Sequence, residues 1–340
     1  MKKLILILGN GLTLDLLSHL KNPNLNIDLV NLFSKGDSVI WPDNRNERGF
    51  LSYKHCPSLW SLGARPNMPT AEANNLIEDI ITCANMASSL DSSTLSNNVY
   101  IQAYYELVLY LKHLFIYYND QVTTKDLQDA DLDKWGWLKL INAALSSASY
   151  DKIIIVTYNY DIFLERILTL HGIPFSIAGF DADSSKVVLL KPHGSISFSH
   201  KKLSPIFAIQ KSPEMYEGVL SDFIVHYSDL NKSYLVNALI PPAGDSSRLA
   251  YKWAAEIRAL VDQYAATICP GDQCVISGLS YWHVDRNEID TLLAKIGKSN
   301  IDTYMVNPFP PRALSAVLTC ILPNHITYSS SDWIGDIVND

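Results

Sequence analysis

At 340 residues, with 48 % hydrophobic and 18 % charged side chains, the chain can bury a full core or hold two lobes, and wholesale disorder is excluded. A formal net charge of -8 argues against direct nucleic-acid binding as its main task, because phosphate contacts need clustered Lys and Arg. The five cysteines are scattered and odd in number, which points to a reducing cytoplasm rather than a disulfide framework, and no apolar run reaches the ~18 residues that cross a bilayer.

The chain opens on Leu4-Ile5-Leu6-Ile7-Leu8, an apolar run that stops at Gly9-Asn10-Gly11 without a signal-peptide cleavage pattern and therefore reads as a buried first strand. The glycine turn leads into a helical run from Leu12. Such a turn lets backbone amides approach a phosphate at a helix N-terminus, although a tight strand-to-helix turn without a ligand has the same composition. Residues 25–69 are turn-rich, with one short strand expected at Ser38-Val39-Ile40-Trp41, and have the character of a binding loop or a surface excursion. From Thr70 to Ser149 glycine is scarce, and Ala71–Ser89 and Val99–Tyr118 carry helical periodicity. This reads as a helical insertion, residues 70–149, within a larger domain made of 1–69 and 150–340. Its stripe of Tyr100, Tyr104, Leu107, Leu111 and Leu114 has the spacing of a core-facing surface.

Lys152–Thr157 is a β-branched strand run that delivers Tyr158-Asn159-Tyr160-Asp161 to its carboxyl end, with an amphipathic helix following from Ile162. In open α/β sheets ligands bind at that edge; Asn and Asp also serve there as plain helix caps. A further strand, Lys186–Leu190, ends on Lys191-Pro192-His193-Gly194-Ser195, so His193 is either a site imidazole or a structural one. Cys274–Ser277 enters Gly278-Leu279-Ser280, with Asn287 to Asp290 opening the next helix, and Thr303–Val306 enters Asn307-Pro308. Strands ending repeatedly on small or polar residues predict an α/β architecture, a Rossmann-like doubly wound and mostly parallel sheet. The acidic tail from Ser329 is expected to pack Trp333 locally or to serve a neighbouring subunit.

Taken together, Gly9-Asn10-Gly11, Thr157-Tyr158-Asn159-Tyr160-Asp161, Lys191-Pro192-His193-Gly194-Ser195, Gly278-Leu279-Ser280 and Val306-Asn307-Pro308 resemble, in order and strand-end placement, the sirtuin-like NADases of bacterial anti-phage defence. The resemblance implies a Rossmann-type site for NAD as substrate. Gly9, Asn10 and Gly11 would lie at the pyrophosphate turn, with Thr157, Tyr160, Gly278, Ser280 and Asn307 among the cofactor contacts. Asn159, Asp161 and His193 would take the nicotinamide-ribose side as the catalytic group. Trp41-Pro42-Asp43-Asn44-Arg45 is faintly similar to the cofactor loop of sirtuin deacylases, which carries over Asp43 and Arg45. Those deacylases also carry a four-cysteine zinc module. Here Cys269 and Cys274 are the only close pair, so no metal is expected and deacylation is disfavoured.

The expected activity is hydrolysis of NAD to nicotinamide and ADP-ribose, depleting NAD in abortive infection. The alternatives are a sensor that binds NAD or an ADP-ribose signal without cleaving it, and an NAD-dependent deacylase. By analogy with relatives, activation would come from a partner, such as a hexameric ATPase or another phage-sensing protein, and the chain would form a homo-oligomer through the helical insertion.

Overall fold

The computed structural model describes residues 1–42, 47–88, 98–204, 218–242, 251–279, 286–322 and 324–339. Its centre is a seven-stranded sheet in which every pairing is parallel. The first strand, β1 (Lys2–Leu8), lies in the middle. On one side it pairs with β4 (Tyr150–Thr157), followed by β6 (Val187–Leu190) and the edge strand β5 (Phe175–Ile177). On the other side come β10 (Gln273–Ser277), β11 (Asp302–Val306) and β12 (His325–Tyr328). The chain therefore builds outward from β1 in one direction, returns, and builds outward in the other. The reversal falls between β1 and β10, where a crevice opens at the carboxyl ends of an open α/β sheet.

Helices cover both faces, which explains why the strands are continuous apolar runs rather than alternating ones. Leu4, Leu6, Ile153, Ile155, Val187 and Leu189 point into one apolar layer. Ile5, Ile7, Ile154, Val156, Val188 and Leu190 point into the other, against α8 (Lys252–Ala265), α9 (Arg286–Lys298) and α10 (Arg312–Ile321). The first layer holds α1 (Asn10–Leu20), the short α2 (Pro57–Ser61), α3 (Thr70–Ser88), α4 (Val99–Gln121), α5 (Thr124–Asp129), α6 (Gly136–Ser146) and α7 (Phe163–Leu170).

The helical segment 70–149 is continuous with this layer, because its buried side chains belong to the same apolar cluster as Leu4 and Leu6. Tyr104, Leu107, Leu111 and Leu114 are buried and Tyr100 is half-buried, as the stripe predicts. Sixteen of the 23 residues of α4 are buried, so the stripe understates the helix, which is enclosed on most sides and offers little of its surface to another subunit. The Asn98 side chain caps its start, accepting from the amides of Tyr100 and Ile101. Buried Glu106 turns its carboxylate on the amides of Ser58 and Leu59, capping α2. At the far end Arg166 of α7 donates to the carbonyls of Asn119 and Val122, tying α4 to the helix that follows β4.

Past His193 the chain forms a strand where the sequence suggests only a turn. β7 (Gly194–His200) pairs antiparallel with β8 (Phe223–Val225) and β9 (Asn237–Leu239) in a small second sheet. Another small ribbon joins β2 (Ile40–Trp41), within the strand expected there, to β3 (Glu47–Arg48). The tail packs Ile334 and Ile337 against α6, whereas Trp333 is 65 % exposed, contrary to local packing of that ring. No described helix is long and apolar enough to cross a membrane.

Candidate functional site

The turns leaving β1 and β10 meet backbone to backbone. A Cβ on Gly278 would stand 2.1 Å from the Gly11 amide nitrogen, and one on Gly11 would stand 2.4 Å from the Gly278 Cα; Gly278 also holds φ +63°. Glycine is thus required here by the contact of two turns, independently of any phosphate. The contact fixes the start of α1, whose first residue is Asn10, beside the end of β10.

A cleft of about 70 Å³ opens at this junction. Gly9, Asn10, Asn159, Tyr160, His193 and Gly278 line it, so six of the residues singled out from sequence converge at one sheet edge. Tyr158 and Phe115 add aromatic walls. The space is below the ~300–1,000 Å³ of sites that bury a whole ligand, and is sized for one ring of a dinucleotide. Leu279 and Pro242, also on its wall, each adjoin a segment outside the described residues, 280–285 and 243–250. Ser280, Asp43 and Arg45 lie outside the described residues as well.

Asn159 is held by a directed relay. Phe163 N–H donates to Asp161 Oδ1 at 3.2 Å, and Thr13 Oγ1 donates to Asp161 Oδ2 at 2.8 Å. Having given its proton to a carboxylate, the Thr13 hydroxyl can only accept from the amide, which it does from Asn159 Nδ2 at 3.1 Å. The amide is thereby polarised in one sense, with Nδ2 toward α1. Asn159 Oδ1 is buried and has no hydrogen-bond partner among the described residues. A buried carbonyl oxygen without a donor, on a residue that lines a cleft, is an acceptor reserved for something else. Asp161 stands behind this arrangement, 4 % exposed and off the cleft wall. Burial raises its carboxyl above the ordinary range, against the pull of Lys191, Thr13 and the Phe163 amide, with Glu165 adding to the rise. Thr157 supports the same loop, its Oγ1 accepting from Asn159 N–H at 3.2 Å.

His193 is 3 % exposed, its Nε2 lies 3.3 Å from Glu288 Oε2, and the Tyr158 ring meets it edge to face at 4.9 Å. Arg258 Nε approaches the same carboxylate oxygen at 3.5 Å. Burial pushes the Glu288 carboxyl up, but the charges of His193 and Arg258 and the His193 hydrogen bond outweigh it and hold it below the usual range. An ionised Glu288 is thus placed to accept a hydrogen bond from His193 Nε2–H and so to orient the ring. The backbone is pinned as well: Ile240 N–H donates to the His193 carbonyl at 3.0 Å, and Gly194 at φ +81° turns the chain where a Cβ would strike the Ala238 carbonyl at 1.9 Å.

Neither a family model nor a curated protein matches this chain. The site must therefore be read from its own geometry and from the motifs that suggested it.

Among the described residues singled out from sequence, Gly11, Thr157, Asp161 and Asn307 are not on the cleft wall, and Tyr160 is there with its hydroxyl engaged elsewhere. Gly11 faces Gly278 rather than the cleft. Tyr160 lines the cleft with its ring, edge-on to Phe115, while its hydroxyl donates to the Ile240 carbonyl at 2.5 Å. Asn307 ends β11, one strand beyond β10, and turns its Oδ1 onto the Phe309 amide at 2.9 Å, away from the cleft lining. Conversely, Thr13 and Glu288 were not among the residues singled out. Thr13 reads in sequence as an ordinary first-turn helix residue, and Glu288 comes 95 positions after its histidine. Among the described residues no group of three or more His, Cys, Asp or Glu side chains is arranged to hold a metal.

Proposed function

We propose that the chain is an NAD glycohydrolase, releasing nicotinamide and ADP-ribose, and that it depletes NAD in anti-phage defence when a partner activates it. The observation that carries this reading is the buried, unpartnered Oδ1 of Asn159 in the same small cleft as His193, at the junction where the β1 and β10 turns meet. The motif resemblance supplies the substrate.

In NAD the pyridinium is already a cationic leaving group. Breaking the bond between the ribose carbon and nitrogen returns the electron pair to the ring as neutral nicotinamide and leaves an oxocarbenium-like sugar. The protein has to favour that positive charge and present water to the carbon. Asn159 Oδ1 is the acceptor that would hold the attacking water or a ribose hydroxyl in register, its direction set by Thr13 and Asp161. His193, its ring oriented by Glu288, would take the proton the water sheds as its oxygen bonds to carbon. The pyrophosphate is suited to the Gly9-Asn10 turn, where α1 begins with no side-chain cap on its N-terminus. Phe115, Tyr158 and Tyr160 form aromatic walls suited to a flat pyridine.

The test is to incubate purified protein with NAD and follow nicotinamide by chromatography. Release by the wild-type chain, lost in His193→Ala and Asn159→Ala with melting curves preserved, supports the reading. Wild-type turnover in both variants removes it. NAD bound but left intact, with the activating partner present, assigns the site to a sensor instead.

A further inference from the structure

The proposed reaction gives Arg258 no task, although its side chain ends beside the candidate base. Arg258 reaches from α8 to Glu288 of α9, and its Nε stands 3.5 Å from the same carboxylate oxygen, Oε2, that lies 3.3 Å from His193 Nε2. Glu288 Oε1 is buried without a hydrogen-bond partner among the described residues, so a single oxygen of this carboxylate is turned to both nitrogen groups. The Arg258 and Glu288 side chains are 24 % and 20 % exposed, and water screens them only in part. Their placement is built in. Val261 of α8 and Ile289, Leu292, Leu293 and Ile296 of α9 belong to one apolar layer, and a second ion pair, Lys295 with Asp262, joins the two helices further along.

Other groups around the imidazole are turned elsewhere or carry no charge. The Tyr158 ring at the end of β4 meets it edge to face, and the described lining of the cleft includes no Lys, Arg, Asp or Glu. On α8, Glu256 accepts from the Leu220 amide. On α9, Arg286 and Asp290 stand two positions either side of Glu288 and so on other faces of the helix. Behind the Asn159 loop, Lys191 donates to Glu165 and Asp161 accepts from Thr13.

Glu288 and Arg258 act on His193 in opposite senses. An ionised carboxylate beside an imidazole favours the protonated ring, and a ring that already carries that proton cannot take one from water. A guanidinium on the same oxygen offsets the field of the carboxylate at the imidazole. We propose that Arg258 is a positioning residue for the reaction: it counterbalances Glu288, so that the carboxylate orients His193 without locking a proton onto it, and thereby sets the lowest pH at which nicotinamide is released. The effect on the ring is independent of the NAD chemistry; only the effect on rate rests on that reading.

The test is an NMR titration of the full-length protein, labelled with 13C at the histidine Cε1 positions and followed over about pH 5–9. The His193 signal is the one of nine that His193→Gln removes. Arg258→Met and Arg258→Gln, both neutral, should each raise its titration midpoint by at least about 0.5 unit, a threefold change in the protonation equilibrium, and Glu288→Gln should lower it. Opposite signs are the signature of counterbalanced charges, which a purely structural arginine would not produce. A smaller rise, no change or a fall in either folded Arg258 variant overturns the proposal. So does a midpoint that fails to drop in Glu288→Gln, a His193 ring that titrates in none of these proteins, or loss of the cooperative melt in both Arg258 variants. The titration does not require turnover, so a protein whose ring shifts as expected yet leaves NAD intact with the activating partner present overturns only the enzymatic reading. Where nicotinamide is released, the acid limb of kcat should move up with the midpoint in the Arg258 variants; a limb that stays in place while the ring shifts overturns the link to rate.

Discussion

Thr13→Val replaces a hydroxyl by a methyl at nearly constant volume, and it removes both central bonds of the relay: the 2.8 Å donation to Asp161 and the 3.1 Å acceptance from Asn159. Thr13, Asn159 and Asp161 are all under 5 % exposed, so water does not replace what is lost. Each stranded polar atom costs about 1–3 kcal/mol, and two of them lower the folding stability by about 2–4 kcal/mol when partial relaxation is allowed for. The effect on turnover is distinct. Without Thr13 nothing dictates which end of the Asn159 amide faces the cleft, and losing a preference worth about 1.4–2.8 kcal/mol slows the reaction about tenfold to a hundredfold. The loss should fall on kcat, with KM for NAD little changed, because the amide acts on the developing charge rather than on the bound nucleotide. Thr13→Ser keeps the hydroxyl and should retain most of the activity. Nicotinamide release at saturating NAD, read beside a thermal melt, separates the two effects. A Thr13→Val protein that melts earlier as expected but keeps wild-type kcat would refute the argument that amide direction matters.

Three further outcomes follow from the described contacts. Gly278→Ala places a Cβ against Gly11 and forces an L-residue to φ +63°, which costs about 1–3 kcal/mol from the backbone conformation alone; an unchanged melting temperature would contradict the two-turn packing. Glu288→Ala leaves His193 and Arg258 without their shared carboxylate, so kcat for nicotinamide release should fall about tenfold or more in steady-state assays, whereas an unaltered kcat would reduce Glu288 to a bystander. Lys112, 1 % exposed, rests its ammonium on Asn237 Oδ1 at 2.7 Å and over the Tyr234 ring at 4.9 Å, and burial pulls it down to about 7. Its folded value lies below its unfolded one, so the contribution of Lys112 to stability is fully present above pH ~10.4 and is lost as pH falls to about 7. Lys112→Met removes the dependence, and its stability relative to wild type should improve by on the order of 4–5 kcal/mol between the top of that window and pH 6; parallel melting curves across pH 6, 8 and 10 would rule this out.

Much of the sheet was legible because parallel strands buried on both faces are written as short runs of Ile, Val and Leu. Ile153–Val156 and Val187–Leu190 are such runs, and both end where expected. The stripe on α4 was legible for the same reason, since helical periodicity records one buried face; it does not record that other elements enclose the remaining faces. β7 was missed because Gly194-Ser195 looks like a turn, although Ser195, Ile196, Ser197, Phe198 and Ser199 alternate with the period of a strand. At the candidate site the strand-end residues could be nominated one by one, but their partners could not. Thr13 meets Asn159 across 146 positions, and Glu288 reaches His193 only after β10 has crossed back beside β1. Asn307 shows the converse: it has the right residue type at the right rim, yet it spends its side chain on a local turn that the Asn-Pro-Phe sequence does not by itself disclose.

The position of α4 limits how the protein can be shortened. This helix rests on β7 and β9 and brings Phe115 to Tyr160, so excising residues 70–149 would not yield a minimal nucleotide-binding unit. Such a truncation would uncover a broad greasy flank and take away one side of the very hollow it was meant to isolate. Inactivity of that fragment would report a missing wall, and the catalytic capacity of the intact polypeptide would have to be judged on the uncut chain.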